Sequence, residues 1–346
     1  DLELAATVER TRDASHGDFA SNVALRLAKQ AQQNPRLLAA AIVDKLPASE
    51  LVEKVEIAGP GFINFHLSAR AFHAEIEAIL DQRSDYGRQP ARERPRILLE
   101  FISANPTGPL HVGHGRHASY GATLGNLLEA VGYPVHREYY VNDAGRQMDI
   151  LGLSVWLRWL ESQDAAISFP QAGYRGDYIR EIAAAIDTGG LASTDVEQLL
   201  DGVAADAPEG DKEAHIEGLI DRAKDLLGAD GFDHVRQQSL ESICADIEDD
   251  LADFGISFDH WYSEQSLEKE GRIDAALAIL EERGMLYKEA GATWFRATDF
   301  GDEKDRVVVR ENGVKTYFAS DIAYHFDKRE RGFDHLIDIL GSDHHG

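Results

Sequence analysis

Residues 96–114, RILLEFISANPTGPLHVGH, decide the fold of the segment that follows. The run RILLEFIS is short and almost wholly apolar, which is typical of a strand buried on both faces. The loop ANPTGPLH comes next, then a helix expected from about 113 to 131 and a strand over PVHREYYV at 134–141. Strand, loop, helix and strand form a βαβ unit. The sequence therefore predicts an α/β fold with a parallel, Rossmann-like sheet.

The segments on either side of this unit show different patterns. Residues 1–90 predict a small α+β domain with two helices, the strands VEKVEIA and FINFHL, and a helix capped by Ser68. Residues 91–346 form a second domain, with a helical and β-rich insertion at about 150–300. Its β-rich part contains MLYKE, ATWFRA, DRVVVRE and VKTYFAS, with a hairpin turn at Asn312-Gly313. Asp1 is not an initiator methionine, and the sequence stops directly after an apolar run, so we expect a fragment.

Composition restricts the class of protein. The 43% hydrophobic and 28% charged fractions are ordinary for a globular protein, and no apolar run approaches the ~18 residues of a membrane span. The single cysteine, Cys244, excludes an internal disulfide and indicates the cytoplasm. A net charge of −26 argues against nucleic-acid binding over the whole surface. One stretch offers either a basic patch or a solvated linker, with arginines at Arg83, Arg88, Arg92, Arg94 and Arg96.

The HVGH tetrapeptide, His111 to His114, is the candidate site for chemistry. It lies between a buried strand and a helix N-terminus, where free N–H groups and the helix dipole suit a phosphate. Gly113 lets a ligand approach the backbone closely. The spacing of His111, His114 and His117 also fits metal ligands or one exposed helix face. Because no carboxylate or cysteine completes a ligand set, we predict no metal site there.

Six segments resemble arginyl-tRNA synthetases of the bacterial type. EFISANPTGPLHVGHGR is similar to that family's HIGH region, and GDFASN (17–22) and GPGFINF (59–65) are similar to its N-terminal domain. YYVNDAGRQM (139–148), TYFASDIAYH (316–325) and LGSDHHG (340–346) resemble later active-site segments. The resemblance covers nearly the whole sequence and is weakest at about 160–250. It implies a class I synthetase catalytic domain, incomplete here, behind a small N-terminal domain that contacts the tRNA elbow.

The resemblance also implies the activity. Arginine would be activated by ATP, with Mg²⁺ on the phosphates, and passed to the terminal adenosine of tRNA(Arg), which is needed even for activation. The catalytic residues would be His111 and His114. The protein would be a cytoplasmic monomer without membrane contact. The implied ATP-binding residues are Pro109, Leu110, His111, Val112, Gly113, His114, Asp343 and His344, with His345 in the same cleft.

Recognition of arginine requires carboxylates and aromatic or carbonyl acceptors in a planar, bidentate arrangement around a guanidinium. By resemblance, Tyr317 and Asp321, one helical turn apart, would grip that group together with Glu264. Each residue also has a structural alternative: Tyr317 as a core tyrosine, Asp321 as a helix cap and Glu264 as a solvated acid. The α-amino and carboxyl end of arginine would lie near three further residues, Glu100, Ser103 and Asn105.

Two parts of the family pattern are missing from the sequence. No KMSKS-like signature is present, since GDEKDR at 301–306 has the wrong residues, and no helical anticodon-binding domain follows. We therefore expect weak or no activity from this fragment alone. The alternatives are a non-catalytic fragment that binds tRNA or arginine, or a nucleotidyltransferase of the HxGH type. A metal phosphoesterase built on Asp343-His344-His345 is a weaker alternative.

Overall fold

The structure is a computed structural model, and it describes residues 7–90, 93–187 and 195–341. The chain divides into two compact units, Asp1–Arg88 and Gln89–Gly346. Within the described ranges, no helix is both long and apolar enough to cross a lipid bilayer.

The first unit is a four-stranded antiparallel sheet with helices. The strands are β1 (Glu9–Arg10), β2 (Phe19–Ser21), β3 (Val52–Ala58) and β4 (Phe62–Leu67), in the order β1-β2-β4-β3. The helices are α1 (Val23–Ala31), α2 (Pro35–Asp44) and α3 (Ala69–Gln82). The small core centres on Ala24, Ala39 and Ile63. The α+β architecture predicted for this region is therefore present.

Two helix starts in this unit show what local sequence can specify. Asn34 caps α2 by accepting a hydrogen bond from the Arg36 N–H at 2.9 Å, with Pro35 in the first turn. Ser68 stands at the N-cap of α3 as predicted, but its hydroxyl donates instead to the Glu50 carbonyl at 2.6 Å. A contact distant in sequence thus replaces the expected side-chain cap.

The second unit contains a parallel sheet of four strands. These are β5 (Ile97–Glu100), β6 (Val135–Val141), β7 (His260–Ser263) and β11 (His335–Asp338), in the order β11-β5-β6-β7. The chain runs from β5 outward to β7 and then returns to the other side of β5. The order of strands therefore reverses between β5 and β11. In open α/β sheets, ligands bind at the carboxyl ends of strands at such a switch point.

Helices cover the sheet and join its strands. They are α4 (Val112–Ala130), α5 (Arg146–Ser162), α6 (Asp177–Ala185), α7 (Val196–Leu200), α8 (Lys212–Asp253), α9 (Glu264–Lys269), α10 (Arg272–Glu282) and α11 (Tyr317–Glu330). Helix α4 approaches the chain after β5 so closely that a Cβ on Gly121 would lie 2.2 Å from the Phe101 ring. Glycine is thus required for this crossover. The main core joins buried residues of the sheet to those of α5 and α8.

A three-stranded antiparallel sheet lies between α10 and α11 in the chain. Its strands are β8 (Leu286–Glu289), β9 (Ala292–Phe295) and β10 (Arg306–Val309). The Asn312-Gly313 turn is present, since the Asn312 side chain accepts from the Val314 N–H at 3.1 Å. The strand predicted over VKTYFAS is wrong. Only Lys315 forms a bridge to Val309, and α11 begins at Tyr317, because its buried residues recur at helical spacing.

The range of about 150–300 that the sequence assigned to an insertion also contains strand β7. That strand pairs in parallel with β6 through Glu138–Val141 and His260–Ser263. Part of this range therefore belongs to the main sheet. Added helices and the small antiparallel sheet make up the remainder.

Candidate active site

The loop after β5 has an unusual backbone. Ile102 and Ser103 have φ values of 70° and 43°, in the left-handed region that non-glycine residues rarely occupy. Such strain costs on the order of 1–3 kcal/mol per residue and persists only where the surroundings impose it. Here the Tyr139 hydroxyl donates to the Ala104 carbonyl at 3.1 Å. Tyr139 of β6 thus holds the loop directly after these two residues.

Tyr178, on α6, also holds this loop. Its hydroxyl donates to the Thr107 carbonyl at 2.7 Å. A Cβ on Gly108 would lie 3.0 Å from the same hydroxyl oxygen, so Gly108 allows the tyrosine its close approach. Sequence reasoning missed Tyr178, because it lies in the part of the chain where the resemblance is weakest.

His111 and His114 form a reciprocal cap at the start of α4. His111 Nδ1 accepts from the Gly113 N–H at 3.1 Å, and His114 Nδ1 accepts from the His111 N–H at 3.3 Å. The two rings stack with centroids 3.7 Å apart. A ring nitrogen that accepts a hydrogen bond carries no proton, so each neutral imidazole has its proton on Nε2. Both histidines are therefore prepared to donate from Nε2.

Electrostatics favour the neutral form of His114. Burial lowers its pKa, and the neighbouring His111 and His117 lower it further. A neutral imidazole N–H at a helix N-terminus can stabilise anionic oxygens by a hydrogen bond, without first taking up a proton. The site can therefore bind phosphate oxygens at neutral pH.

A cleft of about 230 Å³ borders this helix start. Its wall is mostly apolar, and Val112 at its edge is 93% exposed. An apolar cleft next to phosphate donors suits a planar base joined to a phosphate chain. Of the predicted ATP-binding residues, Pro109 is exposed and Gly113 half-buried. Three other predicted residues line the cleft, namely Leu110, His111 and Val112. The remaining lining residues come from α4 and from the end of α8: Gly115, Ala118, Asp250, Leu251 and Phe254.

Glu264, predicted to bind a guanidinium, is a buried carboxylate at the start of α9. It is only 6% exposed, and among the described residues its Oε2 has no hydrogen-bond partner. Burial raises its pKa to about 7, and the nearby acids Asp143 and Asp321 raise it as well. Interactions with Tyr140 and Ser320 oppose this rise. A buried acid among acids is prepared for a cation that supplies the missing hydrogen bonds.

Asp143 sets the position of Glu264. Its Oδ1 accepts from the Gln265 N–H at 2.8 Å, and its Oδ2 accepts from the Ser263 hydroxyl at 2.5 Å. These bonds hold the start of α9, where Glu264 is the first residue. The sequence placed Asp143 in a recognisable segment without giving it a role, because its partners are about 120 residues away.

Tyr317 and Asp321 both lie on the first turns of α11 and are exposed, Tyr317 by 64%. The Tyr317 hydroxyl reaches the loop after β6, since a Cβ on Gly145 would lie 3.7 Å from it. Asp321 is close enough to Glu264 to raise its pKa. The structure thus brings Asp321 of α11 near Glu264 of α9, while Tyr317, one helical turn before Asp321, extends toward Gly145.

The residues predicted near the backbone end of arginine lie at the end of β5. Glu100 is buried, and its Oε1 accepts from the Ser103 hydroxyl at 2.9 Å. Its Oε2 accepts from the ammonium of Lys328 at 2.7 Å. Asn105 is exposed and accepts from the Asn142 side-chain amide at 3.1 Å. Sequence reasoning missed Lys328, whose only signal was its spacing of four residues from the buried Tyr324.

Other predicted features fall elsewhere. Asp343, His344 and His345 lie outside the described residues. Arg94 donates to the Gln89 side chain at 2.7 Å, and Arg96 lies over the Phe333 ring, so both have structural partners.

One group in the described part of the chain has the side chains of a metal site, namely His136, Glu138 and His260, whose ligand atoms lie within 4.8 Å. Glu138 is fully buried, and both its oxygens accept from Arg331 at 2.6 and 2.9 Å. A metal ion would have to displace that arginine. The ion pair therefore occupies the carboxylate that a metal would need.

A parallel sheet with a switch point, and a histidine-capped helix beside it, define an α/β nucleotide-binding protein. Comparison with known families goes further. Residues 1–67 match the arginyl tRNA synthetase N terminal domain, and residues 75–345 match the catalytic domain of class I (R) tRNA synthetases. The chain belongs to this class I (R) tRNA synthetase family. The family resemblance and the predicted fold class are thereby confirmed, and the nucleotidyltransferase alternative loses its support.

Known relatives agree with this assignment. The sequence is 55% identical to an arginine–tRNA ligase of Thioalkalivibrio sulfidiphilus, covering 100% of this chain and 60% of the relative. It is 53% identical to one of Legionella pneumophila, covering 59% of that protein. A candidate arginyl-tRNA synthetase structure from Campylobacter jejuni superposes with a TM-score of 0.65 at 32% identity, over 81% of this chain and 55% of that one. The chain thus spans about 60% of the length of the curated relatives it matches.

Proposed function

We propose that the protein is an arginine–tRNA ligase, which activates arginine with ATP to arginyl-adenylate and transfers it to tRNA(Arg). The observation that carries this proposal is Glu264, a buried carboxylate with one oxygen that has no partner among the described residues. With Asp321 and Tyr317 it offers the acceptors that a planar guanidinium needs. Lysine, with a single ammonium, would not match this set as well.

The nucleotide side of the site is proposed to act through His111 and His114. Their Nε2–H groups would donate to the phosphate oxygens of ATP, while the N–H groups at the start of α4 supply further positive potential. The apolar cleft beside Val112 would take the adenine, next to Pro109, Leu110 and Gly113. Attack of the arginine carboxylate on the α-phosphate then depends on positioning and on stabilisation of the developing charge.

The remaining parts of the proposal follow from the family. ATP is expected to carry Mg²⁺, which binds mainly through phosphates and water. Asp343 and His344 remain proposed ATP contacts, and Ser103 and Asn105 are proposed to face the backbone end of arginine. The single cysteine and the family's role in translation favour a cytoplasmic protein, proposed to act as a monomer.

The experiment is ATP–pyrophosphate exchange by the full-length protein, with each of the twenty amino acids, with and without tRNA. Exchange with arginine alone, and only in the presence of tRNA, supports the proposal. Exchange with another amino acid would keep the class I chemistry and overturn the guanidinium site. Stoichiometric arginine binding without any exchange would identify a binding protein instead.

A further inference from the structure

The carboxyl ends of β5 and β11 meet around one buried lysine. Lys328 is 0% exposed, and its ammonium donates to Glu100 Oε2 at 2.7 Å and to Asp338 Oδ1 at 2.6 Å. Glu100 and Asp338 are register partners in the parallel pair β5–β11, at the switch point of the sheet. Burying an ammonium removes its favourable hydration, and an apolar side chain would often join two strands equally well. A charged group at this position therefore suggests a role beyond packing.

Glu100 connects this lysine to the strained loop after β5. Its second oxygen, Oε1, accepts from the Ser103 hydroxyl at 2.9 Å. The Ser103 oxygen in turn accepts from the Tyr140 N–H at 3.1 Å. The proton and one lone pair of this hydroxyl are thus engaged, at a residue with a left-handed backbone. Because Glu100 is buried and each of its oxygens has a protein partner, Ser103 is the residue through which it reaches the loop after β5.

We propose that Lys328 is a positioning residue of the arginine site, which keeps Glu100 ionised so that Glu100 orients the Ser103 hydroxyl toward the substrate's backbone end. This inference rests on the proposed function and assigns a role to a residue outside the predicted site. Lys328 itself is fully buried and makes no contact with solvent. Its effect on catalysis is therefore indirect.

The effect of removing the Lys328 ammonium depends on the charged and titratable groups around Glu100. Asp338 lies beside Glu100, with His325 at 3.9 Å from its other oxygen, and the Tyr324 ring lies 4.1 Å from the ammonium. Tyr140 faces Glu100 from β6. Burial already raises the pKa of Glu100, and Asp338 raises it as well, while the Lys328 ammonium opposes both. Without the ammonium, two carboxylates share a buried site, and the pKa of Glu100 rises further. A protonated Glu100 is a weaker acceptor than the carboxylate, and when its proton lies on Oε1 it donates to Ser103 and no longer fixes the Ser103 proton.

The test measures pyrophosphate exchange by the full-length protein with Lys328→Met, with the double variant Lys328→Met/Glu100→Gln, and with Lys288→Met as the matched exposed control. Lys328→Met is expected to raise the KM for arginine by about tenfold or more, with the KM for ATP changed less than about twofold. The loss should shrink as the pH is raised, because Glu100 then ionises again. The double variant should recover most of the affinity at every pH, since an amide oxygen accepts from Ser103 without a counterion.

Several outcomes overturn the inference. A lower kcat with an unchanged KM for arginine would mean that Lys328 only stabilises the fold. A double variant as impaired as the single variant would exclude the route through Glu100. If Lys328→Met does not fold by thermal melting, Glu100→Gln and Glu100→Ala replace it, and the glutamine variant should lose several-fold less arginine affinity. Equal losses would exclude the Ser103 role, whereas no arginine-dependent exchange by the unsubstituted protein would refute the proposed function itself.

Discussion

The two sides of the candidate site use burial in opposite ways. On the nucleotide side, burial and neighbouring histidines lower the pKa of His114 and keep it a neutral donor. On the arginine side, burial and neighbouring acids raise the pKa of Glu264 to about 7. One side therefore provides hydrogen-bond donors for an anion, and the other provides hydrogen-bond acceptors for a cation. The proposed function thus assigns groups of opposite character to its two small-molecule substrates, ATP and arginine.

The largest effect is expected from removing a donor on the nucleotide side. His114→Ala should lower the rate of arginine activation by about 10²-fold or more, because it removes a donor to the transition state and half of the reciprocal cap. Pyrophosphate exchange at saturating arginine measures this. His117→Ala, one turn further along α4, is the control and should change the rate less than about threefold. An unchanged rate in His114→Ala would remove this histidine from the mechanism.

A smaller effect is expected on the arginine side. Glu264→Gln should raise the KM for arginine by roughly ten- to a hundredfold, the value of one charge-assisted hydrogen bond, with little effect on the KM for ATP. Glu268→Gln, on the exposed face of α9, makes the same change of charge and serves as the control. Equal changes in both KM values would contradict a division of the site into two parts.

The pH dependence of arginine binding sharpens the same comparison. Glu264, with a pKa of about 7 in the free protein, must release its proton to pair with a guanidinium. Affinity should therefore increase as the pH rises toward about 8, and should fall about tenfold per pH unit below about 7. Calorimetry with arginine alone, which does not involve His114, measures this. Glu264→Gln should show a flat profile, and a wild-type profile equally flat would argue against a raised pKa.

The smallest effect is expected in the loop that joins the two sides. Tyr178→Phe removes the hydrogen bond to the Thr107 carbonyl and keeps the ring against Gly108. A neutral hydrogen bond contributes about 1 kcal/mol, so exchange should slow about fivefold, on kcat more than on either KM. Tyr120→Phe, at an exposed position of α4, is the matched control. A loss of more than about 10²-fold would indicate a direct role in the reaction.

Much of the nucleotide side could be predicted from the sequence. Strand β5, the loop and the histidine cap of α4 occupy one continuous segment, 97–114, and the hydrogen bonds of the cap join residues two or three positions apart. Local patterns report such interactions, so the predicted βαβ unit agrees with the structure. The strand predicted over VKTYFAS, in the β-rich part of the chain, is wrong, because this β-prone run leads into α11, whose buried residues recur at helical spacing.

The sequence by itself determined the order of the elements, the family and the residue types that the chemistry needs. Only the tertiary structure decided that Glu264 is buried with its pKa near 7, that Asp143 holds it there, and that Lys328 joins Glu100 to Asp338. These contacts span up to about 230 residues, so no local spacing reveals them. The physical reason is that desolvation depends on everything packed around a group, whereas a hydrogen-bonded cap depends only on its neighbours in the chain.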